Sequence, residues 1–418
     1  MFIPLKFLLD RIVVEGDLEV IDSGGESHRF GDGTGPRVVF VISDAASERR
    51  LALDPTLALG EGYMRGTITL REGTVYDLIS TVMSNEDQGG FPLAARLPEF
   101  LRYTVRRFQQ FNPVGRARTN VAHHYDINGA IYDLFLDTDR QYSCGYFRSP
   151  SDDLETAQQA KKRHLAAKLF LSPGQRVLDI GSGWGGLAIY LAEMCGAHVT
   201  GITLSKEQLT LSRERARRYK GDGSITFRGL DYRRVRSRFD LVVSVGMFEH
   251  VGVNHHRTYF RKIERLLEDD GIALIHFIAR SDRPAATNPF VAKYIFPGGY
   301  IPAMSEVLGA VEHSRLYLTD VEVLRLHYAE TLRHWRQRFV AQWDRAAQIL
   351  DESFCRMWEF YLAGSEAAFR FERLVVVQLQ LAKAIDTLPL ARDYMAEAEE
   401  HLRGAEADLP DKRWLVGE

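Results

Sequence analysis

Up to about residue 90 the chain alternates apolar and polar positions over short stretches, RVVFVIS and GTITLRE among them, separated by the glycine-rich turns DSGGE and GDGTGP. Period-two alternation bounded by such turns predicts strands with one buried face. No chemical motif accompanies them, and the segment reads as a small α+β domain. In LPEFLRYTVRRFQQFN, Leu97, Phe100, Leu101, Thr104, Phe108 and Phe111 then fall on helical spacing beside Arg102, Arg106 and Arg107. This predicts a basic amphipathic helix, either a domain connector or a membrane-contacting element. From about 173 the texture changes. QRVLDIG, a helix over 184–195, HVTGIT, a helix over 205–219, SITFRG, FDLVVSVGMF, a helix over 256–268 and GIALIHFIA follow one another. Strand and helix in alternation predict an α/β domain whose parallel sheet is covered on both faces. Residues 284–350 break that rhythm with NPFVAKYIFPGGYIPAM and a long aromatic helical stretch, before FRFERLVVVQLQLAK supplies a late strand. An insertion over the sheet's ligand edge is the economical reading. The expected division is therefore an amino-terminal domain over 1–119, an α/β domain over 120–390 with its insertion at about 284–350, and an acidic stretch over 391–418, helical or loose.

Composition bears on compartment and partner. No apolar run approaches the roughly 18 residues that a spanning helix needs, and Lys6, Asp10 and Arg11 interrupt the apolar amino terminus. Neither a standard export signal nor an embedded segment is expected. Cys144, Cys195 and Cys355 form no disulfide framework and suit a reducing, cytosolic compartment. The net charge of −3 conceals local basic excess, with six Arg against one acid over 96–118. Such excess suits an anionic partner, and nucleic acid and the cytoplasmic leaflet of a membrane both qualify. A solvated helix face is the bland account of any one cluster.

The strand VLDIG runs into Gly181-Ser182-Gly183-Trp184-Gly185-Gly186 and a helix. Glycines there let the backbone turn sharply beside a ligand, and the helix amino terminus favours electron-rich groups. Read as GxGxxG, the loop also fits a nicotinamide or flavin site. A dinucleotide site would want an acid near 200–203, where this chain has Thr200, Gly201, Ile202 and Thr203. The pattern acid-x-Gly-x-Gly-x-Gly is met instead by Asp179, Gly181, Gly183 and Gly185, and resembles the first motif of class I S-adenosylmethionine methyltransferases, with Asp231 placed near the adenine. Adjacent histidines (His123-His124, His255-His256) point in different directions and bring no third ligand at a standard spacing, so no metal is expected. No Gly-x-Ser-x-Gly elbow marks a serine nucleophile.

Four further stretches, HHYDINGAIYDLFLDTDRQYSCGYF, GITLSKEQL, MFEHVG and HYAETLRHW, resemble signature segments of the cyclopropane fatty acid synthases, in order over roughly 120–385. That resemblance implies a Rossmann-like sheet with helices on both faces, a lipid-site insertion and a smaller amino-terminal domain. It implies an S-adenosylmethionine pocket lined by Tyr142 and Ser143, with Gly181 and Gly183 on the methionine side and Thr203, Leu204 and Gln208 on the ribose side. It also implies a bicarbonate ion beside the transferred methyl group, held by Cys144, Glu249, His276, Tyr328 and the backbone amide of Ile278. Two positions depart from the usual family form: Gly145 stands where Ala is usual and Gly364 where Cys is frequent.

The implied reaction methylates the cis double bond of an unsaturated phospholipid acyl chain and then closes a cyclopropane ring by deprotonation. An alkene is a weak nucleophile, so the sulfonium must be held in line with it in a dry channel. Bicarbonate would supply a small exchangeable base, its hydroxyl donating to Glu249 and its oxygens accepting from His276, Tyr328 and the amide. Taken singly, Glu249 could cap a helix, and Cys144 and His276 could be ordinary core residues. Two rival readings stand beside the leading one: the same methylation ending in a methylene or methyl-branched chain, and a non-catalytic lipid-binding protein on the same fold. A nucleic-acid methyltransferase is disfavoured because no Asn-Pro-Pro-Tyr or Pro-Cys segment occurs. The partners expected are acyl chains and the inner membrane surface, contacted peripherally through the 97–111 helix and through Phe290, Tyr294 and Phe296. No nucleic acid is expected, and a homodimer is left open.

Overall fold

The computed structural model describes residues 1–85, 101–104, 110 and 129–408. They fall into two compact units, one from Met1–Gln109, Ala285–Pro297 and Leu332–Leu374, the other from Gln110–Pro284, Gly298–Thr331 and Val375–Glu418. The stretch expected as one insertion, 284–350, is thus divided between them.

In the first unit, β1 (Asp17–Ile21) pairs antiparallel with β2 (Ser27–Phe30) and parallel with β3 (Arg37–Ile42), and β3 pairs antiparallel with β4 (Ile68–Glu72). Alternation along these strands sends Leu18 and Val20 of β1 and Val38 and Phe40 of β3 into one core with Leu5, Leu8 and Ile12 of the helix Ile3–Ile12. Thr74 and Asp77 cap each other's backbone at the start of the helix Val75–Ser84, whose Ile79 packs with Ala363 and Ala367 of the helix Glu352–Phe371. Phe290 corrects its expected place on a membrane-facing rim. It is buried, its ring 4.9 Å from that of Phe360, because Gly60 makes room: a Cβ there would stand 2.5 Å from Phe290 Cδ2. Most of the expected 97–111 helix lies outside the described residues. Within it, Arg102 bonds Asp54 and Thr56.

The second unit is built on a sheet of β5 (Arg176–Ile180), β6 (His198–Ile202), β7 (Ser224–Arg228), β8 (Phe239–Val245), β9 (Leu267–Arg280), β10 (Tyr317–Leu324) and β11 (Leu374–Ala382), in the order β10-β11-β9-β8-β5-β6-β7. Strands β5 to β9 pair in parallel, and β10 pairs antiparallel with β11. Both faces are buried, as continuous apolar runs demand. Leu241 and Val243 of β8 and Ile272 and Leu274 of β9 enter one core, with Leu187 and Leu191 of the helix Gly186–Cys195. Val242, Ala273 and Ile275 enter the other, with Tyr259 and Ile263 of the helix His256–Leu266. This is the Rossmann-like α/β architecture expected. Of the two forms foreseen for the acidic stretch, residues Asp393–Asp408 take the helix, and Met395 and Leu402 are buried. No helix among the described residues is long and apolar enough to cross a membrane.

The chain enters the parallel sheet at β5, then lays β6 on one side of it and β8 on the other. The crevice beyond the carboxyl ends of strands at such a reversal is where α/β sheets take ligands.

Candidate active site

A cavity of about 150 Å³ opens at that point, against Ile180, Ile202 and Val245, the last residues of β5, β6 and β8. The nine residues expected around the cofactor, Tyr142, Ser143, Asp179, Gly181, Gly183, Thr203, Leu204, Gln208 and Asp231, all line it. Gln141, Lys161, Trp184, Gly246, Met247 and His250 line it too and were not among them.

Local chemistry fixes these positions. Gly183 has φ +54°, and a Cβ there would meet nothing within 4 Å, so the backbone faces open space that a ligand can approach. Gly185 has φ +89° and serves packing, since a Cβ would stand 2.6 Å from Phe227 Cζ. Ser205 caps the helix Lys206–Arg218, and Thr203 Oγ1 donates to Gln208 Oε1 at 2.8 Å, which locks both side chains beside the cavity. Tyr142 is wedged by the ring of Tyr132, 5.5 Å away, and Tyr132 in turn meets Trp184. Asp231 is committed locally: its carboxylate accepts from the Arg233 backbone N–H at 2.9 Å and from the Arg233 guanidinium at 2.6 and 2.9 Å.

Asp179 is buried, its Oδ2 has no hydrogen-bond partner among the described residues, and burial pushes its carboxyl up to about 7, with Lys161 opposing. Ser182 Oγ is likewise enclosed and unpartnered. Orphaned polar atoms beside an open glycine backbone fit a polar ligand such as the amino-acid end of S-adenosylmethionine.

The five residues expected around the anion lie outside that lining and are anchored in three places. Glu249 Oε1 accepts from the Ile278 N–H at 2.7 Å, so this amide serves the carboxylate in the structure. The residue is partly accessible, yet its Oε2 is enclosed and unpartnered among the described residues, and burial raises the carboxyl to about 7. His276, two residues before Ile278 on β9, is buried with Nδ1 3.2 Å from Gln378 Nε2. Burial drives its imidazole down to about 3, which keeps it neutral. Cys144 is buried with its thiol pushed up, and its neighbour Gly145 donates its N–H to Thr331 Oγ1 at 2.9 Å. Thr331 lies three residues beyond Tyr328, in the first turns of the helix His327–Ala341. Phe147 N–H reaches His327 Nδ1 of the same helix at 3.0 Å, so residues 145–147 are docked on the turn that carries Tyr328. An enclosed carboxylate oxygen on Glu249, tied to β9 two residues from a neutral histidine, suits a small protonated anion such as bicarbonate.

Residues 114–379 match the family model described as mycolic acid cyclopropane synthetase, and residues 10–89 match a domain of unknown function, DUF7884. The chain is 36% identical to the "Probable fatty acid methyltransferase" of Pseudomonas putida, covering 82% of this chain and 86% of that protein. It is 35% identical to the "Cyclopropane-fatty-acyl-phospholipid synthase" of Escherichia coli (strain K12), covering 81% and 86%. Among solved structures it resembles the mycolic acid cyclopropane synthase CmaA1 complexed with SAH and CTAB, at 30% identity and a TM-score of 0.62, covering 66% of this chain and all of that one.

Proposed function

Because the chain belongs to the mycolic acid cyclopropane synthetase family of S-adenosylmethionine-dependent methyltransferases, we propose that it methylates the cis double bond of an unsaturated acyl chain in a membrane phospholipid and closes a cyclopropane ring. The observation that carries this reading is the gathering of nine motif residues around one cavity at the sheet's switch point, with Glu249 adjoining in sequence His250 of its lining.

S-adenosylmethionine, when bound, supplies an electrophilic methyl group on a sulfonium. The chain's own residues hold and shield it: the Gly181–Gly183 backbone and Tyr142 and Ser143 at the amino-acid end, and Thr203, Leu204 and Gln208 at the ribose. The alkene's π electrons form the new C–C bond as the C–S bond breaks, which leaves positive charge on the acyl chain. Water must be kept out at that stage. Bicarbonate, held by Glu249 and His276 with Cys144, Tyr328 and the Ile278 amide around it, would supply the base for the proton lost from the new methyl group. Glu249 orients that base through Oε2, the oxygen the Ile278 amide leaves unengaged, and neutral His276 offers a ring N–H without competing as a base.

The relative named a fatty acid methyltransferase favours a second product, a methylene or methyl-branched chain, from the same charged species. Either product requires peripheral docking on the cytoplasmic face of a bilayer. The test is incubation with unsaturated phospholipid vesicles and S-adenosylmethionine labelled in its methyl group. Label in the acyl chains is the expected result, and label confined to added nucleic acid, or absent from lipid, would overturn the proposal.

A further inference from the structure

The helix Leu154–Lys168 buries three lysines. Lys162 Nζ donates to Asp139 at 2.7 Å, and Lys168 pairs with Asp320 at 3.1 Å and with Glu322. Lys161, 1% exposed, is different. Among the described residues its Nζ has only neutral acceptors, Gln141 Oε1 at 2.5 Å and Ser143 Oγ at 2.9 Å, and it stands in the wall of the cavity. A buried cation whose hydrogen bonds go to neutral dipoles is unfavourable, and burial lowers its pKa to about 8, although the charges of Asp137 and Asp139 oppose that shift without bonding the ammonium.

The position is built rather than incidental. Gln141 Nε2 donates to Asp139 at 3.0 Å, which turns Oε1 toward Lys161. Gln158 Nε2 donates to the Ser143 carbonyl at 2.9 Å and fixes the backbone that carries the hydroxyl. Ser143 Oγ accepts from Lys161, so its own proton is available to a further acceptor. Asp179, with its unpartnered Oδ2, lines the same cavity and forms no ion pair with Lys161 among the described residues. Of the charged groups in the wall, Asp231 is taken up by Arg233 and Arg140 by Asp133, which leaves Lys161 and Asp179 as a cation and a carboxylate with no bond between them among the described residues, the pattern a zwitterion satisfies at both ends.

We propose that Lys161, together with the Ser143 hydroxyl, holds the carboxylate of the cofactor's amino-acid end, with Asp179 toward its α-ammonium group. This rests on the cofactor reading above and adds the residue that distinguishes a complete amino-acid end from a truncated one.

Calorimetric titration of the full chain with S-adenosylhomocysteine and with decarboxylated S-adenosylhomocysteine, which lacks only the carboxylate, tests it. The wild type is expected to prefer the intact ligand by roughly tenfold to a hundredfold, the range for a hydrogen bond to a charged group. Lys161→Met should abolish most of that preference while leaving affinity for the decarboxylated ligand about unchanged, and Lys161→Arg should retain part of it. Equal loss of both ligands in Lys161→Met would mean a merely structural role and overturn the proposal, as would an undiminished preference. Should the Met variant not fold, the wild type still decides: binding both ligands equally overturns the assignment. A wild type that binds neither ligand would overturn the cofactor reading itself.

Discussion

Glu249 is the residue whose charge state the proposed chemistry turns on. Burial disfavours its ionised form and raises the carboxyl to about 7. With Oε1 accepting from the Ile278 amide, a proton on the carboxyl would sit on Oε2 and make it a donor, so the ionised form is the one suited to accept from the hydroxyl of a bound bicarbonate. At fixed bicarbonate concentration, kcat/KM should therefore rise with pH through the region near 7 and fall away below it. Glu249→Gln should lower turnover by about 10²–10⁴ and remove that acid limb, while S-adenosylhomocysteine affinity by calorimetry stays near wild type. An unchanged acid limb in the variant would assign the titration to another group. Much of the cofactor wall was legible at this scale, because Asp179-x-Gly181-x-Gly183-x-Gly185 encodes positive φ and open backbone that few other residue types allow. Lys161 was not, since a lysine within QQAKKRHLAAK reads as part of a solvated face, and only the fold shows which side of the helix is enclosed. Phe290 misled in the opposite sense. An aromatic residue in an irregular stretch looks like a rim, and the glycine that receives it, Gly60, lies 230 residues earlier.

At the scale of elements, the helix Leu154–Lys168 is as much buried as its sequence is charged, and the helix Asp393–Asp408 supplies part of the compensation. Arg163 pairs with Glu406, which also accepts from Tyr190 Oη at 2.6 Å. His164 lies between Glu399 and Glu322, its Nε2 2.7 Å from the latter. Although burial works against protonation of this imidazole, the two carboxylates hold its pKa above the ordinary value. The acidic stretch thus forms part of the second unit's structure. Glu406→Ala removes the partner of a buried guanidinium, and its expected cost is about 3 kcal/mol, read from the urea unfolding of that unit. Glu406→Gln, which can still accept from Tyr190, should cost less. Equal stability of Glu406→Ala and wild type would show the pair to be dispensable. The strands of the α/β unit were legible from apolar runs, and the cores confirm why: neighbours along β8 and β9 feed opposite faces, so Leu241–Val243 and Ile272–Ile275 are apolar without a break. The acidic helix was ambiguous because what orders it is a set of cations more than 200 residues earlier in the chain.

For the molecule as a whole, each unit is assembled from separated segments, and periodicity along the chain reports an element's character without saying which unit it joins. Residues 285–297 and 332–374 group with the amino-terminal segment, while the intervening 298–331 returns to the α/β unit. The reading that unites the cofactor cavity with the Glu249–Ile278 contact is deprotonation of the transferred methyl group with ring closure. That claim is tested most directly by supplying S-adenosylmethionine with a trideuterated methyl group together with unsaturated phospholipid vesicles, and examining the acyl chains by mass spectrometry and NMR. The account predicts a cyclopropane that retains two of the three deuterons, the third having left with the base. A saturated methyl branch retaining all three, or a methylene product without ring protons in the NMR spectrum, would contradict it.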